Sequence, residues 1–157
     1  MVDMTELVEN EAAKPNPALQ PLAVLVGTWK TLGTHPLVPG TTFHGRTLFA
    51  WMAGGAFLIM QSQIDEPEIP SGIAIFGTDD ATGECFMLYF DERGVSRKYD
   101  VSVQGNGWKW WRNAPGFSQR TAGTIAADGG TMVSRGELSR DGINWEPDLE
   151  LTYTRTG

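Results

Sequence analysis

From Trp29 to its C-terminus, this chain is a series of short apolar or alternating runs, each stopped by turn residues. "TTFHGRTLFAWM" stops at Ala53-Gly54-Gly55, "AFLIMQSQID" at Glu66-Pro67-Glu68-Ile69-Pro70, and "SGIAIFGT" at Asp79-Asp80-Ala81-Thr82-Gly83. "ECFMLYFD", "VSRKYDVSVQ", "WKWWR", "FSQRTAGTIA" and "TMVSRGELSR" follow in the same manner, and "DLELTYTR" closes the chain. Short strands punctuated at this spacing are the mark of an all-β sandwich or barrel. With the strand at Trp29, the pattern predicts about ten strands. The linkers are mostly hairpin-short, so sequential neighbours run antiparallel in an up-and-down meander. A meander this long has two edges to protect, and closure into a barrel removes both. The expected fold is therefore an all-β, ten-stranded antiparallel up-and-down barrel.

Two segments precede it. Residues 1–17 are polar, acidic and contain Lys14-Pro15-Asn16-Pro17, which predicts a mobile tail. Residues 18–26, "ALQPLAVLV", are apolar but too short for a free-standing helix, and suit one or two helical turns that plug the barrel. The domain expectation is a tail over 1–17 and one barrel over 18–157, the size of a single domain.

Charge narrows the partners. A formal net charge of −7 argues against nucleic acid or an anionic membrane as the main partner. No run approaches the roughly 20 apolar residues of a membrane span. The start has no apolar secretory core, which makes the cytoplasm the expected location. One cysteine, Cys85, excludes an internal disulfide and a thiolate metal cluster. It alternates with Met87 and Tyr89 as an apolar lining residue.

Strand alternation assigns faces. After residue 95, Arg97, Tyr99, Val101 and Val103 face in, opposite a polar face of Ser96, Lys98, Asp100 and Ser102. On the last strand Leu149, Leu151, Tyr153 and Arg155 face in. On the first, Trp29, Thr31, Gly33 and His35 share one face. Phe43, Gly45, Thr47, Phe49 and Trp51 are assigned inward on the second. In the third, both faces carry apolar residues, so one of them needs a cover. Small and polar inward residues, taken to include Thr31, Gly33, Thr47, Gln61 and Gly136, leave space and hydrogen-bonding groups, which is how small-molecule pockets are built.

Gly27-Thr28-Trp29, after a short helix-like segment, resembles the Gly-x-Trp signature of the calycins, the lipocalin and fatty-acid-binding superfamily. The resemblance implies that Trp29 packs at the closed end of the barrel and that a basic residue of the last strand, here Arg155, stacks on it by a cation–π contact. "LVGTWKTLGTHP", "GRTLFAWMAGGAFLIMQSQI" and "LTYTR" are most similar to the nitrobindin-like branch and related bacterial barrel domains of unknown function. Haem-binding members of that branch use a histidine near the C-terminus. This chain has none after His44, so that ligand does not carry over. Tyr153 and Arg155 resemble the carboxylate-gripping pair of fatty-acid-binding barrels, in reversed order.

The leading expectation is a binding barrel for a small, mostly apolar molecule with an acidic head group, with Arg97, Tyr99, Tyr153, His44 and Trp110 as ligand contacts. Arg97 is costly inside unless a ligand carboxylate or an internal acid meets it. Trp29 and Arg155 are assigned structural roles, and no metal site is expected, because His35 and His44 lack an obvious third ligand. The residues name no cofactor. Three alternatives stand beside this one: a small-substrate isomerase or hydrolase using His44, Arg97 and Tyr99; haem binding through an atypical ligand; and an interaction module or homodimer docking through Trp108, Trp110 and Trp111. The acid pairs Asp79-Asp80 and Asp91-Glu92 are expected to be solvated turn residues.

Overall fold

A computed structural model describes residues 14–157; of the tail expected over 1–17, the first 13 residues lie outside them, and Asn16 and Pro17 belong to the helical plug. Ten strands form one closed antiparallel barrel: β1 (Gly27–Thr34), β2 (Phe43–Met52), β3 (Phe57–Ile64), β4 (Gly72–Thr78), β5 (Cys85–Asp91), β6 (Ser96–Gln104), β7 (Gly107–Arg112), β8 (Ser118–Ile125), β9 (Thr131–Ser139) and β10 (Glu146–Arg155). Each strand pairs with its sequence neighbours, and β1 pairs with β10 to close the ring. This is the up-and-down topology that the turn spacing predicts.

The two ends differ. At one end the chain turns tightly, as at Gly105-Asn106 between β6 and β7. This end is sealed by a 3-10 helix over Pro17–Leu25. Asn16 starts it, its side-chain oxygen accepting from Ala18 N–H at 3.1 Å, and Pro17 suits the first helical position. Leu19, Leu22 and Leu25 are buried at every third residue, the period of a helix with three residues per turn. They fill the barrel floor together with Trp29, Phe49 and Phe76, all at most 2% exposed.

Trp29 joins the plug to the wall. Its indole N–H donates to Leu25 O at 2.8 Å, and the Arg155 guanidinium carbon sits 4.1 Å from its ring centroid. Arg155 also donates to three carbonyl oxygens: Gly129 at 2.9 Å, Val26 at 2.6 Å and Val24 at 2.8 Å. Gly27 has φ +134°, and a Cβ there would collide with the Arg155 guanidinium. The glycine of Gly-x-Trp is thus required by backbone and by space.

At the other end the connections 35–42, 65–71, 92–95, 113–117 and 140–145 surround an opening. β10 carries an irregularity between Pro147 and Glu150 in its pairing with β9. An extra residue there disturbs the simple alternation of faces.

Candidate functional site

The opening leads into a cavity of about 450 Å³. This lies within the usual range for small-molecule sites, roughly 300–1,000 Å³. Its deep part is apolar and aromatic. Trp110 lines it, stacked on Trp108 with ring centroids 4.0 Å apart and set edge-on to Phe76 at 6.1 Å. Met60, Met87, Leu151 and Tyr153 complete this part. Burial pushes the Tyr153 hydroxyl up to about 12, with Ser134 opposing the shift, so it stays a neutral phenol at neutral pH.

The outer part is polar, and its groups are wired together. Arg97 Nη1 and Tyr99 OH both donate to Gln119 Oε1, at 3.1 and 2.7 Å. Gln119 Nε2 donates to Asp148 Oδ2 at 3.3 Å. Asp148 Oδ1 lies 2.8 Å from His35 Nε2, while His35 Nδ1 accepts the Leu37 backbone N–H at 3.1 Å. Accepting at Nδ1 fixes the tautomer, so Nε2 carries the proton and donates to Asp148. Both imidazole nitrogens are thereby engaged, and neither is free to take a substrate proton or ligate iron in this arrangement. Burial raises the Tyr99 hydroxyl, and the neighbouring Arg97 partly offsets this.

Beside this chain, Tyr89 OH donates to Asp91 Oδ2 at 2.8 Å, and Arg93 Nη2 reaches the same oxygen at 2.7 Å. Hydrogen bonding to Arg93 lowers Asp91 to about 2, against the opposing effect of burial. Burial first, then Asp91, raises Tyr89. The arginines of the cavity wall can then be matched, Arg93 with Asp91 and Arg140 with Glu146, while Asp148 is held by the neutral His35 and by Gln119, and Glu68 lies exposed at the mouth. Arg97 is left over. It is half-buried, lies 5.2 Å from the Phe117 ring, and has no described carboxylate at ion-pair distance.

Several expectations change in this light. His44 is on the outer wall, because Phe43, Gly45, Thr47 and Phe49 are the buried residues of β2. Its side chain is 53% exposed and sits 2.9 Å from Glu66, so it contributes neither a ligand contact nor a base to the cavity. Gln61 also faces out, since Leu58 and Met60 take the inward positions of β3. Asp91 is no solvated turn residue: its side chain is fully buried in the pair with Arg93. Trp108 and Trp110 are interior, which leaves Trp111 alone on the outer face of β7 and breaks up the docking surface expected there. Arg97, Tyr99, Tyr153 and Trp110 do line one cavity, whereas Trp29 and Arg155 sit at the sealed end.

Gln119, Asp148 and the Asp91–Arg93 pair are the residues that sequence reasoning missed. Alternation from Leu149 sends Asp148 outward, but at the β10 irregularity both residues line the cavity. Among the described residues, no three His, Cys, Asp or Glu side chains cluster as metal ligands.

No protein-family model matches the chain, and no curated protein matches it. Among solved structures, the chain is similar to Rv2717c from M. tuberculosis, with a TM-score of 0.66 and 18% identity over 92% of this chain and 100% of that one. The likeness is one of fold.

Proposed function

We propose that this barrel binds a small, mostly apolar molecule carrying one acidic head group. The observation behind it is Arg97: a half-buried guanidinium that faces a partly apolar cavity and lacks a carboxylate partner among the described residues. An unpaired cation in such a place is costly, and an incoming anion relieves that cost with charge-assisted hydrogen bonds. The apolar body would lie against Trp110, Met60 and Met87. The Gly27-Trp29-Arg155 arrangement supports placing the chain among the calycins, and the resemblance of "LVGTWKTLGTHP" and "LTYTR" is what favours the nitrobindin-like branch.

The test uses a matched pair of fluorescent probes, 1-anilinonaphthalene-8-sulfonate and its uncharged parent N-phenyl-1-naphthylamine. The wild type should bind the sulfonate about 10- to 100-fold more tightly than the parent, the worth of one charged hydrogen-bonded contact. Arg97→Met should abolish that preference and leave the affinity for the parent unchanged. Equal binding of both probes by the wild type, or a preference that survives in Arg97→Met, would sink the proposal.

A further inference from the structure

One side of the barrel exterior is apolar across neighbouring strands, where the rest interleaves apolar residues with charges and threonines. The outward positions of β7–β10 and β1 mix apolar Trp111, Val133 and Leu32 with Lys109, Arg120, Arg135, Glu137, Glu150, Thr152, Thr154 and Lys30. Those of β2–β5 include Leu48, Ala50 and Met52 on β2, Ile59 and Gln61 on β3, Ile73 and Ile75 on β4, and Phe86, Leu88 and Phe90 on β5, with no charge among them. Leu48, Met52, Ile73 and Phe90 are each 37–42% exposed. The pairing registers align them in rows: Leu48–Gln61–Ile73–Phe90 and, beside it, Ala50–Ile59–Ile75–Leu88. Scattered exposed apolar residues mean little, but a contiguous, charge-free, four-strand patch marks an interaction surface.

We infer that this face is the interface of a homodimer, two barrels packed sheet to sheet about a two-fold axis. Two features of the patch select a second copy. The first is its charged margin. Toward the cavity mouth, one outer groove holds Arg46 at its β2 end and Glu92 just after β5. A two-fold axis lying in the interface, parallel to the strands and between β3 and β4, brings Arg46 opposite Glu92 of the partner subunit, twice. The second is shape. The same axis sets Ile59 against Ile75 of the partner subunit, small Ala50 against Leu88 of the partner subunit, Leu48 against Phe90 of the partner subunit, and the Gln61 side chain, the one polar member of the two rows, against Ile73 of the partner subunit. Sheets pack face to face with strands within about 30° of each other, which such an axis allows. In a two-fold interface one patch must complement itself, and here the Ile59–Ile75 and Ala50–Leu88 pairs and the Arg46–Glu92 margin meet that requirement. Four strands about 4.8 Å apart and three side-chain rows give roughly 400 Å² of apolar centre on the convex barrel wall. A polar rim bearing Arg46, Gln63, Glu92 and Lys98 enlarges it toward the roughly 800 Å² per partner of a stable interface. The net charge of −7 disfavours an anionic membrane as the occupant.

Sedimentation velocity over a range of concentrations tests this on the full chain. The wild type should sediment at twice its 17.2 kDa chain mass. Ile59→Lys and Ile75→Glu should each raise the dissociation constant about 100-fold or more, because each buries a charge against an isoleucine. Both should keep the wild-type tryptophan emission and thermal transition. Mixed in equal amounts, the two monomeric variants should form a heterodimer, with one Lys–Glu contact and one native Ile–Ile contact. Thr152→Lys, on the opposite wall, should remain dimeric. A monomeric wild type, a dimer indifferent to both substitutions, or a mixture that stays monomeric would each overturn the inference. So would a chain that dimerises only after removal of residues 1–13, or a monomer that floats with phosphatidylcholine vesicles.

Discussion

Arg155 shows how much one side chain can hold. Its guanidinium covers the Trp29 face and ties three carbonyls from two separate segments, Val24 and Val26 at the plug and Gly129 in the β8–β9 turn. Arg155→Met should lower stability by about 3 kcal/mol, since it strands carbonyls that had a charged donor. Arg155→Lys should recover less than half of that, because an ammonium cannot fork to three acceptors. Urea unfolding followed by tryptophan fluorescence reads both values. Asp91 makes a pH prediction. Its folded value, near 2, lies below the ordinary carboxyl value of 3.8. Its contribution is therefore fully present above about pH 4 and is lost as pH falls through about 2. Arg93 is half-exposed, which screens the pair and limits the effect to about 1–2 kcal/mol. The urea midpoint of Asp91→Asn should change less between pH 4 and 2 than that of the wild type; parallel curves would contradict this. At this scale the sequence was partly legible. The inward sets of β6 and β10 follow from alternation, because each strand has one polar and one apolar face. Gln119 and Asp148 did not follow. A lone polar residue in a strand carries no sign of its partner, and here the partners come from β6 and from the loop after β1.

At the level of elements, the plug and the paired tryptophans decide which end is closed. Trp108 lies over Gly123 on the neighbouring strand, where a Cβ would strike the indole ring. Gly123 has an ordinary strand φ, so the constraint is space alone. Gly123→Ala should cost about 1–3 kcal/mol by overpacking. It should also change the near-UV circular dichroism, because it displaces the Trp108–Trp110 stack. An unaltered spectrum with unaltered stability would show that the ring has room. Element order and strand count were readable because glycine, proline and aspartate clusters mark every turn. The helix type was not. "ALQPLAVLV" is equally compatible with an α-helical turn, and the 3-10 form follows from seating Leu19, Leu22 and Leu25 in one barrel mouth.

On the scale of the whole molecule, the barrel is asymmetric in two directions. Along its axis, a sealed hydrophobic end faces a polar, arginine-lined mouth. Around its wall, an apolar side faces a charged one. The proposed binding uses the first asymmetry and the inferred dimer the second, on opposite faces of the same strands: Met87 and Tyr89 look into the cavity while Leu88 and Phe90 look out. The double-sided apolar character of β3 was visible in the sequence as a strand with apolar residues on both faces, one of which needs a cover. What lay beyond reach was which face the barrel itself would use.

The closing pair, β1 with β10, also sets the order of events in folding. Arg155 bonds a carbonyl 129 residues before it, and no shorter contact can substitute for that seam. Long-range β pairing of this kind is slow, in the millisecond-to-second range. During synthesis the first strand emerges with one side unpaired and stays so until the last strand has been made. Until then β1 is an open edge, a template for other chains. A chain ending at residue 139 should therefore grow into assemblies larger than a dimer through the edges of β1 and β9, while the complete chain should not pass the dimer. Light scattering during refolding of the two would show it. For a growing chain, the risk lasts until its final ten-residue strand emerges.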